Sequence, residues 1–322
     1  MSGRDRQNAR SSLGHCGNLD NIMTNVVAKT RFRRLRETPM LRVGSPKGYF
    51  AGTLDSIKSI FMQRQLIALV IRRELRTKYK GSFTGILWSL ARPLAMIVIY
   101  YFFVGQILGA ARSIPDFAVY MFTGFATWAL FSESMASATL SLVGNAGLVR
   151  KVSLPREIFP ISTTSVAVVN FLTQVGLLIV FIVIIGSPVN FANIGIAIMG
   201  IAMLVTFSLA LGLLVSAATV FFRDLQHLVD VALMFLFWGS PVLYSVVLVK
   251  NLVTVDWVVQ IYLANPVTTA ILSMQSAFWG AGELGVGNIG LRVAITWAIS
   301  LVLLWFAQRV FNRLQGSFAQ EL

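Results

Sequence analysis

Basic side chains crowd one short stretch of this sequence. Arg72, Arg73, Arg76, Lys78 and Lys80 fall within nine residues, and Arg92 follows at the mouth of an apolar run. Guanidinium and ammonium groups at this density attract phosphate-bearing headgroups, Arg as a planar fork and Lys as a point charge. A second basic set, Arg150, Lys151 and Arg156, shares residues 145–160 with Glu157, Pro155 and Pro160. The two prolines bound a short helical piece, so these charges sit on an ordered element suited to pairing with charges on a partner. For both sets the simpler alternative is topology or bulk-lipid contact, since loops on the cytoplasmic side of membrane proteins are basic in any case. Glu133 is a different kind of candidate, an acid deep in an apolar run. It either faces a conduit or pairs with a polar neighbour such as Gln174 or His227.

Covalent and metal chemistry have little to work with. No G-x-x-x-x-G-K-[ST] loop, H-E-x-x-H or G-x-S-x-G occurs, so the chain carries no nucleotide-binding P-loop of its own. One cysteine, Cys16, and two histidines, His15 and His227, exclude an internal disulfide and the usual cysteine or histidine metal clusters. The expectation is no catalytic residue, no metal and no cofactor on this chain.

The elements that must position these charges are apolar. Of 322 residues 56% are hydrophobic and 12% charged, against about 25% charged in soluble domains. The mean hydropathy is +0.73. This excludes an ordinary soluble enzyme and a disordered chain. Residues 1–92 hold 18 Lys+Arg and 5 Asp+Glu, and the remaining 230 hold 9 and 8. The basic region runs straight into apolar segments, so anionic lipid rather than nucleic acid is its natural counter-charge.

A helix needs about 20 mostly apolar residues to cross a bilayer. Runs of that kind place spans at about 93–111, 118–142, 160–185, 193–221, 229–249 and 289–310, with Gly186-Ser187-Pro188 dividing the third from the fourth. Residues 257–282 are also uncharged, but Asn265-Pro266, Gly280 and Gly282 argue against one continuous helix there. Arg150, Lys151, Arg156 and Arg223 lie in loops on the side of the N-terminus, and Arg309 and Arg313 follow the last span. By the positive-inside rule both termini are then cytoplasmic, which requires an even number of spans. Residues 257–282 are therefore read as re-entrant, dipping into the outer face without crossing.

Residues 1–50 are polar and read as a disordered basic cytoplasmic arm with no signal-peptide run. Residues 54–80 interleave Ile57, Ile60, Phe61, Leu66 and Val70 with Lys58, Gln63 and Arg64. That spacing predicts an amphipathic helix in the headgroup plane, followed by a basic hinge at Gly81. The expected fold is an all-α membrane protein: six transmembrane helices over 86–315, this interface helix, and the re-entrant segment between spans 5 and 6.

Four stretches carry a resemblance. The first runs from Arg72 through Thr77-Lys78-Tyr79-Lys80-Gly81-Ser82 and Trp88-Ser89 to Arg92-Pro93-Leu94. The second is Asn145 to Pro160, with Arg150-Lys151-Val152-Ser153-Leu154-Pro155-Arg156-Glu157. The third is Phe222-Arg223-Asp224-Leu225 followed by Gly239-Ser240-Pro241-Val242-Leu243-Tyr244. The fourth is Asn265-Pro266. In this order and spacing they resemble the transmembrane subunit of ABC-2 type polysaccharide exporters, the group serving O-antigen, capsule, teichoic acid and related glycans. The resemblance covers about residues 54–315. Residues 1–50 are longer than the usual family N-terminus, and nothing carries over to them.

What the resemblance implies is an ABC-2 permease fold in the bacterial cytoplasmic membrane. It implies a homodimer with two copies of a separate ATPase subunit, which would use ATP and Mg. The substrate would be a glycan on a polyprenyl-pyrophosphate lipid. Arg150, Lys151, Pro155, Arg156 and Glu157 would then seat in the ATPase. Arg72, Arg73, Arg76, Lys78, Lys80 and Arg92 would meet the pyrophosphate headgroup. Phe125 and Trp128 would join Glu133 as conduit residues, since aromatic faces suit sugar C–H surfaces, although helix packing enriches aromatics equally. Asn265, Pro266 and Trp279 would close the outer mouth. Two rival functions remain at this point: an ABC-2 permease for a small hydrophobic compound, and a membrane-embedded glycan-modifying enzyme, for which Glu133 is the one acid on offer.

Overall fold

Long runs of Ile, Leu, Val and Phe without charge satisfy their backbone internally only as helices when lipid surrounds them. A computed structural model describes residues 64–79, 91, 94–151, 155–253, 255–280 and 284–322, all within one compact unit, Tyr49–Leu322. Every regular element among the described residues is helical. The arm at 1–50, the first part of the interface helix, Lys80, Arg92 and residues 152–154 of the second basic segment lie outside the described residues, as does Gly282.

The chain order is α1 (Arg64–Tyr79), α2 (Leu94–Ile107), α3 (Ala110–Ser113), α4 (Phe117–Ser141), α5 (Ala146–Lys151), α6 (Ile158–Ile185) and α7 (Ile194–Phe221). Then come α8 (Leu225–Trp238), α9 (Val246–Leu252), α10 (Asp256–Ala264), α11 (Pro266–Phe278), α12 (Ile289–Leu314) and α13 (Phe318–Glu321). The helix α6, the run Phe191–Phe221 containing α7, and α12 are each long and apolar enough to cross a bilayer. The 25 residues of α4 suffice by length, though they carry Glu133 and seven Ser or Thr side chains.

Two expected spans are shorter than their apolar runs. In α2 the last seven residues, Tyr101–Ile107, wind as a π-helix, and Gly109 turns the chain at φ +78°. In the run at 229–249, α8 starts early at Leu225 and ends at Trp238, because Gly239 and Pro241 break the hydrogen-bond ladder. Fourteen residues rise about 21 Å, short of the ~30 Å hydrocarbon core. The run at 257–282 is indeed discontinuous. Helices α10 and α11 meet at 79°. Asn265 accepts from the Val267 backbone N–H at 3.0 Å and Pro266 opens α11, the capped, proline-led start that a new helix favours.

At the centre, α7 packs against α4, α11 and α12, while α4 packs against α6 and α1 rests on α6. Small residues permit the closest approach. A Cβ on Gly200 of α7 would stand 1.8 Å from Ser273 Oγ of α11. Consequently α11 is buried at every position from Val267 to Ala277.

Candidate functional site

The bundle has two ends, each organised around candidate residues. At one end the chain leaves α4 through a turn at Val143–Asn145 into α5. Val149 is buried, whereas Leu148 and Arg150 are exposed, so α5 shows one side to the protein and the other outward. Pro155 and Arg156 accept from the backbone N–H of Ile158 and Phe159 in the turn that opens α6. Pro160 falls in the first helical turn, where its missing N–H costs nothing. The segment is thus ordered on both sides of residues 152–154.

Its two charges at the second turn behave differently from a simple exposed pair. Glu157 is only 4% exposed. Its carboxyl points at Gln308 and Asn312 of α12, and Oε1 is buried without a hydrogen-bond partner. Burial pushes this carboxyl from 4.5 up to about 7, against the opposing pull of the Asn312 and Gln308 hydrogen bonds. Glu157 is expected to pair with a partner's charge; within this chain its carboxyl turns inward, toward α12. Arg156 lies over the Phe318 ring at 5.8 Å, and its partial burial lowers its pKa. Of the five residues expected to contact a partner, Arg150 keeps an exposed side chain, Pro155 shapes the turn and Lys151 closes α5.

The basic cluster sits on α1. Pairs at 66/67, 70/71 and 74/75 are half-buried against the protein, while Arg72, Arg73 and Arg76 are exposed, and Lys78 lies in the last turn. Arg73 donates to Asn145 Oδ1 at 2.5 Å and pairs with Glu74 at 2.6 Å. Asn145 in turn donates to the Ser141 carbonyl at 2.9 Å. The headgroup candidates and residues 145–160 are therefore joined by a direct contact.

Within the apolar body, Phe125 packs on Tyr100 of α2 and Phe237 of α8, at centroid distances of 5.1 and 5.6 Å. Trp128 packs on Phe237 and Phe131 at 5.5 and 5.8 Å. Inside one chain these rings cement α2, α4 and α8. Glu133 accepts from Asn170 Nδ2 of α6 at 2.5 Å. The partner is Asn170 rather than Gln174 or His227. One turn of helix separates it from Gln174, and its polarity in an otherwise apolar run was the available signal.

At the opposite end Trp279 is 3% exposed. Its indole N–H donates to the Pro115 carbonyl at 2.7 Å, and its ring meets Tyr120 edge-on at 4.8 Å. Backbone bonds from Asn190 to Ala277 (2.8 Å) and from Gly280 to Pro188 (3.0 Å) stitch α11 to the turn between α6 and α7. Two residues that sequence reasoning missed add bonds at this end. Tyr120 donates to the Tyr244 carbonyl at 2.8 Å, and the Gln275 amide donates to the Pro241 carbonyl at 3.1 Å. A tyrosine and a glutamine within apolar helices carry no sign of such partners in the linear sequence.

Comparison with known proteins places this architecture. The chain is similar to the O-antigen export system permease protein RfbA of Klebsiella pneumoniae, 28% identical over 258 residues, which cover 80% of this chain and 95% of the relative. It is likewise similar to the O-antigen export system permease protein RfbA of Myxococcus xanthus, 28% identical over 267 residues, covering 83% and 98%. The profile of the family described as ABC-2 type transporter matches residues 65–279, from α1 through the bent pair α10–α11 to Trp279. With the long apolar helices already described, this match means that the chain belongs to the ABC-2 type transporter family, as a membrane transport component rather than an enzyme.

Proposed function

We propose that this chain is the permease subunit of an ATP-driven exporter of a polysaccharide carried on a polyprenyl-pyrophosphate lipid. The observation that carries the reading is the likeness, over four-fifths of this chain, to permeases named for O-antigen export. The end bearing residues 145–160 then faces the cytoplasm, with both termini, and the Trp279 end faces outward. A homodimer of this chain in the cytoplasmic membrane works with two copies of a cytoplasmic ATPase subunit. ATP and Mg act in that subunit. The glycolipid enters laterally at the inner leaflet, where Arg72, Arg73 and Arg76 on the exposed side of α1 meet its pyrophosphate. Lys78, Lys80 and Arg92, near it in the sequence, are proposed to serve the same headgroup. Residues 145–160 receive motion from the ATPase, with Arg150 and Lys151 as charge contacts.

The test is to purify the tagged protein from its native membrane in mild detergent and identify what accompanies it. A stoichiometric ATPase that is lost when Arg150 and Lys151 are both changed to Glu supports the reading. A protein that purifies alone, without ATP hydrolysis, overturns it.

A further inference from the structure

The end of the bundle that holds residues 145–160 has a hydrophobic cluster of its own, separate from the main core. It takes Val149 and Phe159 from either side of 152–154, Val220 from α7, Phe311 from α12 and Phe318 from α13. Phe318 is completely buried. Its ring meets Phe311 edge-on at 5.4 Å and Phe221 at 6.0 Å, with the Arg156 guanidinium 5.8 Å over its face. Beside it the Glu157 carboxyl reaches across to Gln308 and Asn312 of α12. The chain arrives there because α12 stops at Leu314 and a turn, closed by Ser317 N–H to the Leu314 carbonyl at 3.1 Å, folds it back. A four-residue helix has no stability of its own, so α13 is held in place by the burial of Phe318.

One aromatic side chain therefore touches all three elements that converge here: the 145–160 segment, α7 and α12. We propose that Phe318 is a positioning residue for energy coupling. It wedges the segment against the ends of α7 and α12, so that a displacement of the segment moves both helices together instead of bending a loop. Close-packed cores pass on displacement in this way because they deform little and repack in discrete steps. Arg156 and Glu157, which flank the wedge, then serve to join the segment to the bundle rather than to contact the ATPase. The inference rests on the reading of residues 145–160 as the ATPase contact.

The experiment uses the complex purified with its ATPase and, in parallel, cells scored for surface glycan. Three quantities are measured: ATPase retained, ATP hydrolysed and glycan exported. Phe318→Ala should retain the ATPase and its hydrolysis, while glycan exported per ATP falls roughly tenfold. Phe318→Leu keeps an apolar side chain but removes the ring beneath Arg156, and should lower the same ratio by about two- to threefold. An unchanged ratio in both variants overturns the proposal. So does loss of the ATPase from Phe318→Leu, which would make Phe318 part of the docking surface instead. If Phe318→Ala fails to accumulate, the ratio for Phe318→Leu decides. Failure of the underlying reading shows separately, as an ATPase that stays bound when Arg150 and Lys151 are reversed.

Discussion

Arg73 and Asn145, 72 positions apart, are joined by a 2.5 Å hydrogen bond that ties the exposed face of α1 to the turn leading into α5. The guanidinium is shared with Glu74, so the bond adds little stability at this exposed site, typically under ~1 kcal/mol. On the proposed function, a headgroup that draws Arg73 away from Asn145 changes the support of the coupling segment. Asn145→Ala should leave the melting temperature within a few degrees of wild type while abolishing stimulation of ATP hydrolysis by added lipid-linked glycan. Full stimulation in the variant would show that the contact is only structural.

The buried Glu157 carboxyl should make stability depend on pH. Its pKa is raised from 4.5 to about 7 by burial, so folding favours the protonated form. The stabilisation is complete below about pH 4.5 and disappears as pH rises through about 7, a swing on the order of 3 kcal/mol. Melting in detergent between pH 5 and 8 should show this decline, and Glu157→Gln should flatten it. A wild-type profile that rises over the same range would contradict the burial described for this group.

Contact between α7 and α11 at Gly200 should tolerate no side chain. The Cβ of Gly200→Ala would fall 1.8 Å from Ser273 Oγ and 2.7 Å from Ser273 Cβ. Overpacking of this kind costs about 1–3 kcal/mol and would push α11 off the bundle. Adding Ser273→Gly should recover part of the lost stability. Thermal denaturation of the single and double variants measures this, and strict additivity of the two changes would count against direct contact.

Removing the Trp279 ring should loosen the end at which Tyr120, Trp279 and Gln275 meet. Trp279→Ala deletes both the bond to Pro115 and the edge contact with Tyr120, at a cost of about 3–5 kcal/mol. Trp279→Phe keeps an aromatic ring and loses the hydrogen bond alone. If Trp279 closes the outer mouth, as the resemblance implies, resting permeability to small solutes in proteoliposomes should increase with Ala and far less with Phe. A tight Ala variant would assign Trp279 to folding only.

Changing Glu133 separates transport from enzymology. Glu133→Gln keeps the hydrogen bond from Asn170 and removes the charge. On the proposed function, glycan export should persist in Gln at near wild-type rate, whereas Glu133→Ala removes the acceptor of the Asn170 hydrogen bond, at about 1 kcal/mol. Loss of all activity in Gln alone would revive a chemical role for this acid.

Much of this protein was legible along the chain. The extents of α4, α6, α7 and α12 follow the apolar runs within a few residues, because lipid forces an uncharged run of spanning length into a helix. The break at Asn265-Pro266 was equally readable, since a cap and a proline act on their own turn of helix. The family itself was visible in the basic entry stretch, the proline-bounded loop, the Phe222–Leu225 and Gly239–Tyr244 stretch and Asn265-Pro266. Hydropathy did not show that α8 would stop at Trp238, for the residues beyond it are just as apolar and only Gly239 and Pro241 intervene. It also could not orient charged groups. Glu157 turns toward Gln308 and Asn312, Glu133 finds Asn170, and Phe318 returns to Arg156 across spacings no local periodicity encodes. Local patterns report what each segment needs from its surroundings: lipid, water or a turn. Which polar group meets which is settled by how the helices pack, and that was decided by tertiary structure alone.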